Sequence, residues 1–213
     1  MSVRKVIFVT DPLCSWCWGM AEAIETVRAA LPGRVEFDLL LGGINIDAGT
    51  ALAPGMLPRF EQIWTRVRAM TGQPFAMRFP ESPNFVYNSL PQCRAIAAVR
   101  ELVGRPPFAY LHALQRAFFV DAADTSAPDV LVAQARVEGV DEAALVRALA
   151  SPDLDATLTL EMQVARSYGT TALPAVLVET EQGRRLLAGG YVDAPMLKEM
   201  IEAWLQRYPP VLN

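Results

Sequence analysis

Apolar residues recur along this chain with different spacings, and the order of those spacings predicts its layout. Val3, Ile7, Phe8 and Val9 make an apolar run that Asp11-Pro12 breaks, the pattern of a buried strand. Ala21, Ile24, Val27 and Ala30 then recur every three or four positions, which predicts a helix ending at Pro32-Gly33. Val35, Phe37, Leu39, Leu40 and Leu41 predict a second strand that stops at Gly42-Gly43. A strand, helix and strand in this order require a parallel pair with a right-handed crossover. The residues after the first strand then lie at the carboxyl edge of the sheet, where α/β sites usually form.

From about Pro54 to Gly169 the spacing is helical throughout. Met56, Leu57, Phe60, Ile63, Trp64 and Val67 form one stripe; Ile96, Val99, Leu102 and Val103 a second; Tyr110, Leu111, Leu114 and Phe118 a third. Shorter helices are expected to begin near Ser126 and Asp141 as N-caps, and another to run from Ser151, with Pro152 at its first position, to Tyr168. Strand patterning returns at Ala175 to Val178 and at Arg184 to Ala188, and the turn at Gln182-Gly183 between them predicts an antiparallel hairpin closed by Gly189-Gly190. A last helix from Asp193 to Arg207 buries Leu197, Ile201, Trp204 and Leu205 until Pro209-Pro210 stops it. The expected division is an α/β domain of residues 1–53 and 170–213, interrupted by an all-helical insertion of residues 54–169.

Composition narrows the function classes. With 213 residues, 52% of them hydrophobic, the chain can bury a substantial core. Its net charge is −4 and its basic runs are no longer than Arg4-Lys5 and Arg184-Arg185, which argues against a nucleic-acid partner. No apolar run approaches the roughly twenty residues that span a bilayer, and the first strand begins too near Met1 to leave room for an export signal, so no membrane partner and a cytoplasmic location are expected.

The chemistry is concentrated in Cys14-Ser15-Trp16-Cys17, at the handover from strand to helix. Unpaired N–H groups and the peptide dipoles at a helix start favour an anion, so Cys14 is expected to be the thiolate. Cys17 is a near neighbour one turn on, where a disulfide can close, and is expected to be the shielded, resolving thiol. Trp16 offers an apolar, partly exposed face beside the sulfur. Structural zinc needs four ligands, and beyond this pair only Cys93 and His112 remain, so no metal is expected. Cys93 reads as a core residue on an apolar helix face, His112 as a surface or capping residue, and Phe60, Trp64, Met56 and Met70 as core or groove lining. Asp11 is the acid nearest the pair; turn formation or capping is its expected role, with proton transfer as the alternative.

Two segments, Asp11-Pro12-Leu13-Cys14-Ser15-Trp16-Cys17-Trp18-Gly19 and Thr171-Ala172-Leu173-Pro174-Ala175, resemble the DsbA-family oxidoreductases, and most closely their FrnE-like subgroup. The resemblance implies a thioredoxin fold with a large helical insertion between its βαβ and ββα halves. It also implies a cis Leu173-Pro174 bond that presents the Leu173 backbone to a substrate. Cys14, Cys17 and Pro174 become the catalytic set, and Ser15, Trp16 and Leu173 the substrate contacts. The segment Asn88 to Arg94 is similar to one in the related 2-hydroxychromene-2-carboxylate isomerases and kappa-class glutathione transferases, where it would either hold a ligand or tie the insertion together.

Three functions follow. The first is thiol-disulfide exchange on a protein or small-molecule substrate, with no resident cofactor and glutathione as an optional co-substrate. The second is a glutathione-dependent isomerase or transferase, disfavoured because those families usually carry serine where Cys14 stands. The third is a non-enzymatic adaptor that binds a partner protein.

Overall fold

The computed structural model describes residues 4–50, 55–82, 85–168, 172–181 and 183–208. Val3, Pro54, Gly169, Thr171, Gln182 and Pro209-Pro210, along with both proposed domain boundaries, lie outside the described residues. The fold is the expected α/β class, a thioredoxin fold with a helical insertion.

Strands β1 (Lys5–Thr10), β2 (Glu36–Leu41), β3 (Ala175–Thr180) and β4 (Gly183–Gly189) form one sheet in the order β2-β1-β3-β4. β1 pairs in parallel with β2, Phe8 opposite Leu39, and antiparallel with β3, Phe8 opposite Val176. β3 and β4 form the antiparallel hairpin. Side chains alternate across a strand, so Val6 and Phe8 enter the large core that includes helix α1 (Ser15–Ala30), while Ile7 and Val9 pack on the opposite face with Ala175, Leu177 and Ala165. Both faces are covered. This is why β1 reads as a continuous apolar run and does not alternate with polar residues.

The helices between the two halves of the sheet are α2 (Leu57–Thr71), α3 (Leu90–Val103), α4 (Phe108–Phe119), α5 (Pro128–Gln134), α6 (Glu142–Leu149) and α7 (Asp153–Ser167), and α8 (Ala194–Arg207) closes the chain. Asp141 and Asp193 cap α6 and α8 by accepting from Ala144 and Met196 N–H at 2.9 Å each. Ser126 does not cap α5. Its N–H and hydroxyl both donate to Asp124 Oδ1, and Ala127 takes the cap position ahead of Pro128. α7 likewise begins at Asp153, with Pro152 in the cap position and Ser151 outside the helix. Three residues expected inside are not: Ala30 is exposed, Leu102 is 43% exposed and Met70 59%, because each lies at the end of its helical stripe, where the core falls away.

Gly19 decides how closely the helices approach the sheet domain. A Cβ at this position would lie 2.8 Å from Val67 Cγ1 and 2.9 Å from Thr71 Cγ2, so α1 and α2 cross at a distance that only glycine permits. The crossing is continued by an aromatic cluster in which Trp64 meets Phe79, Phe118 and Phe119 edge to face, and Trp18 stacks on Phe119.

Alanine in place of a helical glycine ordinarily stabilises by about 0.5–1 kcal/mol. For Gly19→Ala the opposite sign is expected, a loss of roughly 1–3 kcal/mol from overpacking against two β-branched side chains. Urea unfolding followed by tryptophan fluorescence checks it; an unchanged or higher midpoint would mean that α2 moves freely.

Candidate active site

At the end of β1 the backbone turns, and Asp11 organises the turn. Its Oδ1 accepts from Leu13 N–H at 2.8 Å and its carbonyl from Cys14 N–H at 3.2 Å. The Tyr87 hydroxyl donates to the Leu13 carbonyl at 2.6 Å from the other side. Held between these bonds, Cys14 is extended (φ −80°, ψ 112°) and forms the N-cap of α1, where its Sγ accepts from Cys17 N–H at 3.3 Å. Sulfur thus occupies the place that serine or aspartate usually takes at a helix start, with the unpaired N–H groups pointing toward it.

Cys14 and Cys17 are free thiols, 7% and 1% exposed. Burial pushes the Cys17 thiol well above the ordinary cysteine range, and the Cys14 hydrogen bond and charge push it further; a hydrogen bond from Thr10 acts in the opposite direction. Cys17 therefore keeps its proton behind the outer sulfur. Ser15 is buried, and half-buried Trp16 leans on Tyr191 at 6.0 Å between ring centroids.

The Leu173–Pro174 peptide is cis. The Pro174 carbonyl accepts from Gly190 N–H at 2.8 Å, and the Leu173 side chain packs inward against the cluster of Ile7, Val9, Ala175 and Leu177. Leu173 also seats against Gly42, where a Cβ would lie 2.6 Å from its Cδ1. Its side chain is therefore a packing residue; any substrate contact through Leu173 falls to its backbone.

Asp11 does more than turn the chain. Its Oδ2 accepts from the Ser89 hydroxyl at 2.6 Å and from Ile44 N–H at 2.9 Å, binding the loop before Cys14 to the exit of β2 and the start of α3. Its carboxyl is fully buried, and burial raises its pKa from 3.8 to about 6 against the pull of hydrogen bonds from Ser89, Leu13, Ile44 and Gly43. Cys93 is buried as expected, but its sulfur faces this polar group, 3.9 Å from Asp11 Oδ2 and 3.8 Å from Ser89 Oγ. Burial, then the Asp11 charge, push that thiol well up.

Beside Cys14 opens a cleft of about 250 Å³ lined by Cys14, Ser15, Trp16, Ile44, Phe60, Ile63, Arg66 and Tyr87. Phe60, Ile63 and Arg66 come from α2, and Tyr87 from the segment before α3. Of these, the sequence singled out Phe60 as possible groove lining; Tyr87, Ile44 and Arg66 went unnoticed. A helical stripe marks which face of α2 turns inward, and only the Gly19 crossing shows that its edge reaches Cys14. Asn88 ties the segment before α3 to the loop after β2, its Nδ2 donating to the carbonyls of Ile46 and Ala48 at 3.0 and 2.9 Å, and Arg94 ties α3 to α7 by pairing with Asp155 at 2.5 Å. His112 is not a cap. It sits within α4, partly buried, with Nδ1 3.6 Å from Glu25 and with burial lowering its pKa. Among the described residues no group of three or more His, Cys, Asp or Glu is placed to hold a metal, and no helix is long and apolar enough to cross a membrane.

Residues 5–202 match the family model of the DSBA-like thioredoxin domain. A provisionally named protein disulfide isomerase from Nitrosomonas europaea is 28% identical and superposes with a TM-score of 0.88 over 97% of this chain and 99% of its own. The cytosolic disulfide reductase DsbM of Pseudomonas aeruginosa, solved with GSH, shares the fold at 22% identity and a TM-score of 0.75, covering 95% of this chain and 99% of its own. The ClpXP adapter protein SpxH of Shouchella clausii is 22% identical over 198 residues, 90% of this chain, which spans 65% of that protein's length.

A carboxyl whose folded pKa is raised favours the folded state most at low pH. The contribution of Asp11 to stability is therefore complete below about 3.8, declines as pH rises to about 6, and is flat above. Relative to Asp11→Asn, the native protein is expected to lose roughly 1–3 kcal/mol across that window. Urea unfolding of both proteins from pH 3.5 to 7.5 with a phosphine reductant measures it; parallel curves would show that the carboxyl titrates normally.

Proposed function

Because this chain belongs to the DSBA-like thioredoxin domain family, we propose that it is a thiol-disulfide oxidoreductase working through Cys14 and Cys17. The observation that carries the reading is the Cys14 sulfur at the head of α1, bonded to Cys17 N–H and open to a cleft. The Cys14 thiolate attacks one sulfur of a substrate disulfide. A Cys14–substrate disulfide forms, the substrate bond breaks, and the released half leaves as a thiolate that takes a proton from water. Cys17 then attacks Cys14, freeing the second half as a thiol, so the substrate gains the two electrons that the dithiol loses. Cys17 must first give up a proton that its surroundings hold. We assign its acceptance to Asp11, whose buried carboxyl is ionised at neutral pH and whose charge Cys17 senses. Pro174, Ser15, Trp16 and the Leu173 backbone frame the substrate in this reading, with residues 54–169 as the insertion that supplies the far wall of the cleft.

Reduction or isomerisation in the cytoplasm fits better than net oxidation. A glutathione pool at about −220 to −320 mV keeps such a pair reduced unless its own potential is lower, and glutathione then serves as the reductant that regenerates the dithiol. The cytosolic reductase DsbM, solved with GSH, supports this direction. The likeness to SpxH supports an adaptor as the second reading, in which partner binding would survive the loss of both cysteines. The isomerase or transferase reading is weakened by the presence of sulfur at both Cys14 and Cys17.

Cys17→Ser is expected to accumulate a Cys14 adduct one glutathionyl group heavier after exposure to glutathione disulfide, and to lose insulin-reducing turnover. Cys14→Ser should form no adduct at this site. Intact-mass spectrometry and an insulin-reduction assay in glutathione buffers read both outcomes, and a Cys17→Ser protein with full turnover would refute the exchange mechanism.

A further inference from the structure

Among the described residues that line the cleft beside Cys14, one side chain is basic. Arg66 lines it with the apolar faces of Trp16, Ile44, Phe60 and Ile63, and its guanidinium makes no hydrogen bond or ion pair among the described residues. Arg94, Arg100, Arg105 and Arg136 of the helical region pair with Asp155, Glu161, Glu138 and Glu142. Arg59, Arg68, Arg116, Arg147 and Arg166 share with Arg66 the lack of an ion pair among the described residues, so what sets Arg66 apart is its place in the cleft wall beside Cys14. In a protein of net charge −4, this exposed guanidinium at the edge of an apolar cleft places a positive charge beside Cys14. Among the described residues no carboxylate pairs with it.

Three requirements on a ligand follow. It must bring sulfur to Cys14, lay an uncharged body along Trp16, Phe60 and Ile63, and end in an anion at Arg66. Guanidinium pairs best with a planar carboxylate, which it can hold by two parallel N–H···O bonds. The volume, about 250 Å³, lies just below the roughly 300–1,000 Å³ of pockets that enclose drug-sized ligands, which favours a small molecule over a segment of folded protein.

We infer that this cleft selects a small disulfide or thiol bearing a carboxylate, and that Arg66 is the residue that reads the carboxylate. The inference rests on the exchange chemistry proposed above and narrows its substrate class. In the step concerned, the Cys14 thiolate attacks a sulfur of the small disulfide, the Cys14–sulfur bond forms as the sulfur–sulfur bond breaks, and the departing half is protonated by water. Arg66 takes no proton and moves none; it positions the retained half.

The test uses the full chain carrying Cys17→Ser, so that each productive encounter ends in one Cys14 adduct. Second-order rate constants are measured for glutathione disulfide and for the same molecule with its carboxylates esterified. The carboxylate form is expected to react faster, and rising salt should shrink the difference. Adding Arg66→Ala should lower the ratio of the two constants roughly tenfold, the loss of one charge-assisted contact; Arg66→Lys should fall between, and Arg66→Glu should favour the ester. Equal rates for the two forms, or a ratio that Arg66→Ala leaves unchanged, would overturn the inference while leaving disulfide exchange standing. A chain inert to both forms would overturn the exchange reading and this inference with it.

Discussion

The buried carboxylate of Asp11 holds together the three stretches of chain that make the site. Leu13 N–H, Ile44 N–H and the Ser89 hydroxyl all converge on it, at 2.8, 2.9 and 2.6 Å. One stretch leads into the cysteine pair, one leaves β2, and one opens α3. A buried carboxyl is costly unless it is hydrogen-bonded, so these donors and the carboxyl depend on one another. Each bond also pulls toward the ionised form, while burial opposes it. The outcome is a group with a pKa of about 6, set close to neutrality by two opposed effects.

The sulfur geometry follows from that anchor. With Leu13 fixed by Asp11 on one side and by Tyr87 on the other, Cys14 has little freedom except to cap α1, and Cys17 is carried inward by the helix. The two thiols have identical chemistry and opposite surroundings. Cys14 accepts a backbone hydrogen bond beside an open cleft, whereas Cys17 lies under it, desolvated, with its proton held. An attacking and a resolving role are thereby separated by position alone.

The far wall of the cleft depends on packing between elements distant in sequence. Gly19 admits α2 to α1, the aromatic cluster around Trp64 fixes its depth, and Phe60, Ile63 and Arg66 are carried to Cys14 as a consequence. Neither the sheet and α1 nor the helices between β2 and β3 contain the cleft by themselves. Substrate choice and sulfur chemistry are supplied by different parts of the chain and meet at one place.

Local signals, by themselves, were enough to determine the order of strands and helices, a parallel strand pair and an antiparallel hairpin, and a cysteine pair at a helix start. Period-2 and period-3.6 burial and the glycine and proline breaks act over a few residues, so they are written in the immediate sequence. The Ser126 cap misled because Asp124, two residues away, competes for the same hydroxyl, and Leu102 and Met70 because a stripe does not show where the core ends. Only the tertiary structure decided that Asp11 reaches Ser89, that Tyr87 braces Leu13, that Cys93 faces a carboxylate, and that Arg66 lines the cleft beside Cys14. Those facts are contacts between residues tens of positions apart. Their energies depend on burial and distance in space, which spacing along the chain does not encode.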